Sequence, residues 1–259
     1  MNSIPAGPLA VEPAAARAAS HWPARLDVAQ SVSGLLLALF MWGHMAFVAS
    51  ILVSRDAMWT VTKFFEGYFF FGRPYPVIVS GVVAAVFTVV VVHAALALRK
   101  FPSSYRQYTL FKRHMHGMQH EDTTLWYWQA LTGFALFFLA SAHLYWMLVN
   151  PDRIGPFESS DRVWSDHFWV LYLVMLFAVE IHGGVGLYRL ALKWGFFSGK
   201  DVLRARRRLR AVKWGITVFL IALGLATLAA YVKIGIEHAP DYGERYAPSW
   251  VQESPGGAP

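Results

Sequence analysis

The chain has 259 residues, of which 56% are hydrophobic and only 15% are charged, and this balance excludes an ordinary soluble domain in favour of a membrane protein. The sequence contains no cysteine, so disulfides, thiolate metal sites, iron–sulfur ligation and a covalently attached c-type haem are excluded. The net charge of +7 does not indicate a nucleic-acid partner, because in a membrane protein the basic residues report orientation relative to the lipid.

Five apolar runs are long enough to cross a bilayer, since a helix needs roughly 20 apolar residues to span the hydrocarbon. In chain order they are Val32 to Val53, Val77 to Leu98, Leu125 to Val149, Phe168 to Leu190 and Trp214 to Val232. Backbone groups in lipid must be bonded within their own segment, and barrel strands would be shorter and alternating. The prediction is therefore an all-α, membrane-embedded bundle of five transmembrane helices.

The loops predict how this bundle is oriented. Residues 1–30 are rich in Ala and Pro, lack an apolar run long enough for a cleavable signal, and are predicted to be a retained cytoplasmic segment. Basic residues are concentrated in the loops after the second and fourth spans, so these loops are predicted to be cytoplasmic. Residues 31–238 would then form one five-helix domain, and residues 239–259 a periplasmic tail. The basic run Arg204 to Arg210 is interpreted as a topology determinant on a short connecting helix, with binding of anionic membrane lipid as the alternative.

Four of the ten histidines lie inside apolar runs, one in each of the first four spans: His44, His93, His143 and His182. Because successive spans run in opposite directions, His44 and His143 are predicted to lie in the outer leaflet, and His93 and His182 in the inner leaflet. Two levels of paired imidazoles suit two stacked bis-histidine haems b between the first four helices. Zinc fits worse, because it prefers three or four ligands at one point. The alternative for each histidine is a hydrogen bond between helices.

Four residues near the predicted inner ends of the spans could bind the propionates of the inner haem. Gln30 and Ser31 open the first span, Trp126 opens the third, and Lys193 closes the fourth. Helix capping and anchoring at the membrane surface are the alternative interpretation of these residues.

Two acidic residues need an explanation. Glu180 lies within the fourth span, where an ionised carboxylate is costly and a functional role is the usual reason for its presence. A rotation of about 200° over two residues means that Glu180 does not share the helix face of His182, and a protonated, hydrogen-bonded acid is the alternative. Glu66 lies in an aromatic outer segment between Lys63 and Pro76, near the outer haem level. Considered alone, it is interpreted as an acidic residue at the membrane interface.

The local contexts of the four histidines are MWGHM, VVHAAL, SAHLYW and EIHGGVGLYR. As an ordered set across five spans, they resemble the diheme cytochrome b membrane anchors of succinate:quinone oxidoreductases, in particular those of menaquinol:fumarate reductases from anaerobic bacteria. The resemblance extends from about Gln30 to His238. It implies a multi-pass subunit of the bacterial inner membrane that binds two non-covalent haems b and oxidises menaquinol near the outer face. Electrons would pass to a cytoplasmic iron–sulfur subunit, which carries the flavoprotein (FAD) subunit with the dicarboxylate site, in a dimer of such heterotrimers.

The resemblance also implies roles for individual residues. It assigns His93 and His182 to the haem near the iron–sulfur subunit, His44 and His143 to the distal haem, and the four donors named above to the propionates of the nearer haem. It further implies two catalytic acids: one matching Glu66 accepts a proton on quinol oxidation, and one matching Glu180 moves protons across the membrane beside the electrons.

Three alternatives for the function remain open on the sequence. The same subunit can work in reverse as a succinate:menaquinone reductase. A cytochrome b subunit of a membrane hydrogenase, formate dehydrogenase or nitrate reductase also uses bis-histidine haems. A haem-free helical anchor or transporter would use its histidines only to bond helices or to relay protons.

Overall fold

The computed structural model describes residues 20–118, 121–197, 201–248 and residue 250. Within these ranges the chain is helical and contains no strand, which confirms the all-α prediction. The helices are α1 (Trp22–Val48), α2 (Arg55–Phe65), α3 (Tyr68–Phe71), α4 (Pro76–Leu98), α5 (Tyr105–Met118), α6 (Glu121–Val149), α7 (Pro156–Trp164), α8 (Trp169–Lys193) and α9 (Val202–His238). Short 3-10 turns follow α1 at Ala49–Leu52 and α9 at Ala239–Asp241.

In the part of the chain described, five helices are long and apolar enough to cross a membrane, and this confirms the predicted number of spans. They are α1, α4, α6, α8 and α9. Two of them extend well beyond their apolar runs: α1 begins at Trp22, and α9 covers 37 residues. The basic run Arg204 to Arg210 lies in the first turns of α9, so the prediction of a separate connecting helix is wrong. Arginine and lysine are good helix formers, and the end of an apolar run therefore marks the lipid boundary and not the end of the helix.

Four shorter helices, α2, α3, α5 and α7, lie in the segments that connect the spans. The segment from Lys63 to Pro76, expected as a loop, contains the end of α2 and all of α3. The two helices are separated by Gly67, which has a φ of +76° and packs so closely that an added Cβ would lie 2.8 Å from the ring of Phe71. Glycine is suited to this turn because it adopts a left-handed conformation without steric cost.

The spans form a ring with one helix outside it. Helix α1 packs against α4, α4 against α6, α6 against α8, and α8 against α1, so that four helices surround a common interior. Helix α9 packs mainly along α8 and against α7. We call the end of the bundle that carries α5 and the start of α9 the basic end, and the other end the α7 end.

Ion pairs hold the helices together at the basic end. Asp27 of α1 pairs with Lys100, which follows α4, and with Lys193, the last residue of α8. Arg210 of α9 pairs with Glu121 at the start of α6. These contacts join α1 to α8 and to the end of α4, and α6 to α9, where the helices emerge from the apolar region.

At the α7 end, a buried polar contact fixes α7 against α9. His238 Nδ1 lies 2.7 Å from Asp161 Oδ1, and both side chains are buried. The ring of Phe157 stacks on the imidazole of His238 at 4.0 Å. Close packing of the two helices depends on Gly235, because an added Cβ would lie 2.5 Å from the backbone oxygen of Ser160.

Substitution of Gly235 by Ala should therefore lower the stability of the protein by about 1–3 kcal/mol, because the backbone of α7 must move to admit the methyl group. Gly215→Ala is the matched control on the same helix, since an added Cβ there meets nothing within 4 Å. Its midpoint of thermal unfolding in detergent should stay the same or rise slightly, because alanine favours helix over glycine by about 1 kcal/mol. Equal midpoints for the two variants would contradict the proposed importance of this contact.

Candidate functional site

The four histidines of the spans lie in the interior of the helix ring in two pairs. The ring centres of His44 (α1) and His143 (α6) are 6.2 Å apart, and those of His93 (α4) and His182 (α8) are 6.4 Å apart. Because α1 is diagonal to α6, and α4 is diagonal to α8, each pair crosses the middle of the ring. The sequence predicts this same pairing from the depth of each histidine within its span.

The separation within each pair fits one metal ion bound between two imidazoles. Two metal–nitrogen bonds of about 2 Å, plus about 1 Å from each nitrogen to its ring centre, place the ring centres about 6 Å apart. No cluster of three or more His, Cys, Asp or Glu in the described residues could hold a metal ion. A metal at either pair would thus have two protein ligands, as in a haem whose macrocycle supplies the other four nitrogens.

Two glycines make room for one of the pairs. An added Cβ at Gly34 would lie 2.9 Å from Cε1 of His93, and one at Gly133 would lie 3.0 Å from Cε1 of His182. Gly34 precedes His44 by ten residues on α1, and Gly133 precedes His143 by ten residues on α6. At a rise of about 1.5 Å per residue, the two histidine pairs are therefore about 15 Å apart along the helices.

Hydrogen bonds to Nδ1 orient the imidazoles nearer to the basic end. Nδ1 of His93 lies 3.0 Å from Oγ of Ser33, and Nδ1 of His182 lies 2.9 Å from the backbone oxygen of Gln129. When Nδ1 is engaged in this way, Nε2 is the nitrogen that remains for a metal. At the other level, Nδ1 of His143 is buried and has no partner among the described residues.

All four histidines line a single cavity of about 1540 Å³, together with the four predicted propionate donors and Glu180. Its walls are mostly aliphatic and aromatic side chains, as a site for a flat, apolar macrocycle requires. The spacing of the imidazoles, the glycine cradle and this apolar cavity together fit two stacked haems.

The predicted propionate donors lie at the basic end of the cavity. Nζ of Lys193 lies 3.0 Å from Oγ of Ser31, so the structure brings these two residues together. Oε1 of Gln30 is buried without a partner in the described part of the chain. Trp126 packs against the rings of Phe101 and Phe111, as an interfacial anchor would.

A buried cation that the sequence does not reveal lies at the level of His44 and His143. Arg162 of α7 is 6% exposed, lines the cavity, and donates to Tyr172 Oη at 2.9 Å. The ring of Tyr172 in turn contacts the imidazole of His143 at 5.4 Å. No local pattern in the sequence distinguishes Arg162 from the exposed Arg153.

Glu66 is the most deeply buried carboxylate at the α7 end. It follows the last residue of α2, is 1% exposed, and accepts a hydrogen bond from Nζ of Lys63 at 2.6 Å. Thr62 and Phe65, on the same turn of the chain, line the large cavity. The structure thus places a paired carboxylate beside the end of the cavity that His44 and His143 occupy.

Glu180 lies on a different face of α8 from His182. Its side chain is 5% exposed, and Oε1 is buried with no partner among the described residues. Gly184, one turn further on, faces α9, because an added Cβ there would lie 2.5 Å from Oγ1 of Thr217. Glu180 therefore points towards α9, whereas the imidazole of His182 contacts α4 and α6.

Comparison with known proteins gives consistent similarities. Residues 103–223 match the family of succinate dehydrogenase/fumarate reductase transmembrane subunits. A fumarate reductase cytochrome b subunit from Helicobacter pylori is 55% identical over 215 residues, which are 83% of this chain and 83% of that protein. One from Wolinella succinogenes is 53% identical over 231 residues, which are 89% of this chain and 90% of that protein. These similarities cover most of the chain.

Proposed function

This chain belongs to the family of succinate dehydrogenase/fumarate reductase transmembrane subunits, as a fumarate reductase cytochrome b membrane subunit. From that premise we propose that it oxidises menaquinol and passes the electrons through two haems b for the reduction of fumarate. The observation that carries the proposal is the pair of imidazole–imidazole separations, 6.2 and 6.4 Å, at two levels of one apolar cavity. The names of the relatives favour fumarate reduction over succinate oxidation and over the hydrogenase, formate dehydrogenase and nitrate reductase alternatives.

The residues that would hold the two haems follow from the site. His93 and His182 would hold the haem near the basic end, and His44 and His143 would hold the haem near the α7 end. A haem held by two imidazoles would supply a one-electron carrier. For the propionates, we propose the set Gln30, Ser31, Trp126 and Lys193 at the basic end and Arg162 at the α7 end, because cationic and amide donors bind carboxylates strongly.

Glu66 and Lys63 would act together in quinol oxidation. Removal of two electrons from a quinol also releases two protons, which a nearby base must accept. An ionised carboxylate is such a base, and Nζ of Lys63 lies 2.6 Å from Oε2 of Glu66, so that this contact holds the carboxylate in place. We therefore propose Glu66 as the proton acceptor and Lys63 as the residue that positions it.

Glu180 would carry protons in the direction of the electrons. Electrons that move inward oppose an inside-negative potential, at a cost of about 2.3 kcal/mol per charge per 100 mV. Menaquinol has little driving force to spend on fumarate, so a proton that moves inward beside each electron would cancel this cost. A buried carboxyl group in the middle of α8, on a different helix face from His182 and on the wall of the same cavity, is suited to that task.

The same proposal implies an orientation of the bundle in the membrane and a set of partner subunits. The basic end would face the cytoplasm, with the N-terminal segment, and the C-terminal tail would lie in the periplasm. The iron–sulfur subunit, which carries the flavoprotein with FAD, would dock at the basic end beside His93 and His182. The whole assembly would be a dimer of heterotrimers in the inner membrane.

Replacement of one histidine of each pair tests the haem assignment. His44→Ala and His182→Ala should each lose one haem of two, because an iron with a single axial imidazole is held weakly, and the double variant should lose both. Pyridine haemochrome assay of the purified complex gives the count. His114→Ala is the control, since His114 is exposed on α5 and far from both pairs. Full haem content in the double variant would contradict the assignment.

Replacement of Glu66 by Gln should reduce menaquinol-driven fumarate reduction by about 100-fold, because the proton acceptor is lost while the shape is kept. Both haems should remain, and fumarate reduction with a viologen dye, which bypasses the quinol, should be unchanged. A variant with normal quinol oxidation would remove Glu66 from the mechanism.

Replacement of Glu180 by Gln should retain both haems and suppress quinol-dependent turnover, because electrons would then cross the membrane without compensating protons. The measurement is menaquinol-driven fumarate reduction in proteoliposomes, with viologen-driven reduction as the internal control. Full quinol-dependent turnover would count against the proton-carrying role.

A further inference from the structure

The burial of Glu66 raises a question about where its proton goes. At 1% exposure, the carboxylate has almost no direct contact with solvent, and the ammonium of its partner Lys63 offers only hydrogen-bond donors. If Glu66 accepts protons from a quinol, as the proposed function has it, a second titratable group must take them to the surface. The inference below rests on that function.

Glu158 is a candidate on a neighbouring element. It lies in the first turn of α7, which packs against α2, the helix of Lys63. Its side chain is half-buried and folds back over Gly155, where an added Cβ would lie 2.8 Å from the carboxyl carbon. Oε2 of Glu158 is buried and has no partner among the described residues.

The usual capping contact of a glutamate at this position is absent in α7. A glutamate at the third position of a helix commonly reaches back to accept a hydrogen bond from the N-cap amide. In α7 the amide of the N-cap residue, Gly155, instead donates to Oγ of Ser159 at 3.4 Å. The carboxylate of Glu158 accepts a hydrogen bond from its own backbone amide, while Oε2 has no partner among the described residues and can bind a proton.

Burial raises the pKa of Glu158, so that it holds a proton more readily than an exposed glutamate does, and the charge of Glu66 acts in the same direction. The hydrogen bond from its own backbone amide and the cations Arg245 and Lys63 act in the opposite direction. Other charged groups on the packed elements are engaged elsewhere: Asp161 with His238, Arg162 with Tyr172, and Glu237 with Arg55. Glu158 thus responds electrostatically to the pair that would receive the quinol proton.

We propose that Glu158 is a proton carrier between Glu66 and the aqueous phase at the α7 end. In the transfer, the O–H bond of the protonated Glu66 breaks as an O–H bond forms on the Glu158 carboxylate. Glu66 is then ionised beside Lys63 and ready for the second proton of the quinol. Glu158 releases its proton to water beside the exposed ion pair of Arg245 and Asp152, which lie 2.8 Å apart.

The test compares Glu158→Gln, Glu158→Asp and Glu244→Gln in the complete complex. Glu244 is an exposed acid at the same end and serves as the matched control. Glu158→Gln should slow menaquinol oxidation at least about tenfold, with haem content and viologen-driven fumarate reduction unchanged. Glu158→Asp should restore much of the rate, and added formate, a small diffusible proton carrier, should partly rescue the Gln variant.

The formate rescue is a readout that a merely structural role would not change. Normal menaquinol oxidation by Glu158→Gln, or a slow variant that neither formate nor Asp restores, would overturn the inference. Glu66→Gln, measured in parallel, separates this failure from failure of the proposed function. If Glu66→Gln is slow and Glu158→Gln is normal, only the carrier role of Glu158 is lost, whereas normal rates in both remove the role of Glu66 as well.

Discussion

The arrangement of this bundle depends on four imidazoles that must be accommodated in lipid, where a polar group without a partner is costly. The two pairs span both diagonals of the α1, α4, α6 and α8 ring, so they determine which helices face each other across the interior. Gly34 on α1 and Gly133 on α6 allow the rings of His93 and His182 to approach the neighbouring helices. The fifth span contributes no histidine to these pairs and lies outside this ring, against α8.

The two ends of the bundle are built differently. At the basic end, ion pairs between helices, such as those of Asp27 with Lys100 and Lys193, hold the spans together in a partly exposed setting. At the α7 end, two ionisable pairs lie largely buried, Glu66 with Lys63 and Asp161 with His238, beside exposed ion pairs such as that of Arg245 with Asp152. Buried ionisable groups cost free energy unless they are paired, and they concentrate where protons are handled. This asymmetry agrees with quinol chemistry at the α7 end and with docking of a soluble partner at the basic end.

The sequence predicted the spans and the depths of the histidines because lipid imposes both. A run of about 20 apolar residues is a physical requirement, and the rise of a helix converts sequence position into depth. The short helices α2, α3, α5 and α7 were missed because hydropathy carries no such requirement outside the bilayer. Hydropathy also does not single out Arg162 or Glu158, because a charged residue between two spans gives the same signal whether it is buried or exposed. The spacing of ten residues from Gly34 to His44, and again from Gly133 to His143, was a signal available in the sequence.

The faces of α8 give the proposed electron and proton routes separate locations. His182 contacts α4 and α6 in the interior of the ring, whereas Glu180 and Gly184 face α9. Because a rotation of about 200° separates residues two apart on a helix, neighbouring positions of one helix serve opposite sides. A proton on the α9 side can then move without displacing the imidazole that would hold iron, while both charges remain within one low-dielectric layer. Because the two proposed routes lie close together, the charge of the proton can compensate that of the electron. Opposite charges that cross the same layer together do no net electrical work against the membrane potential.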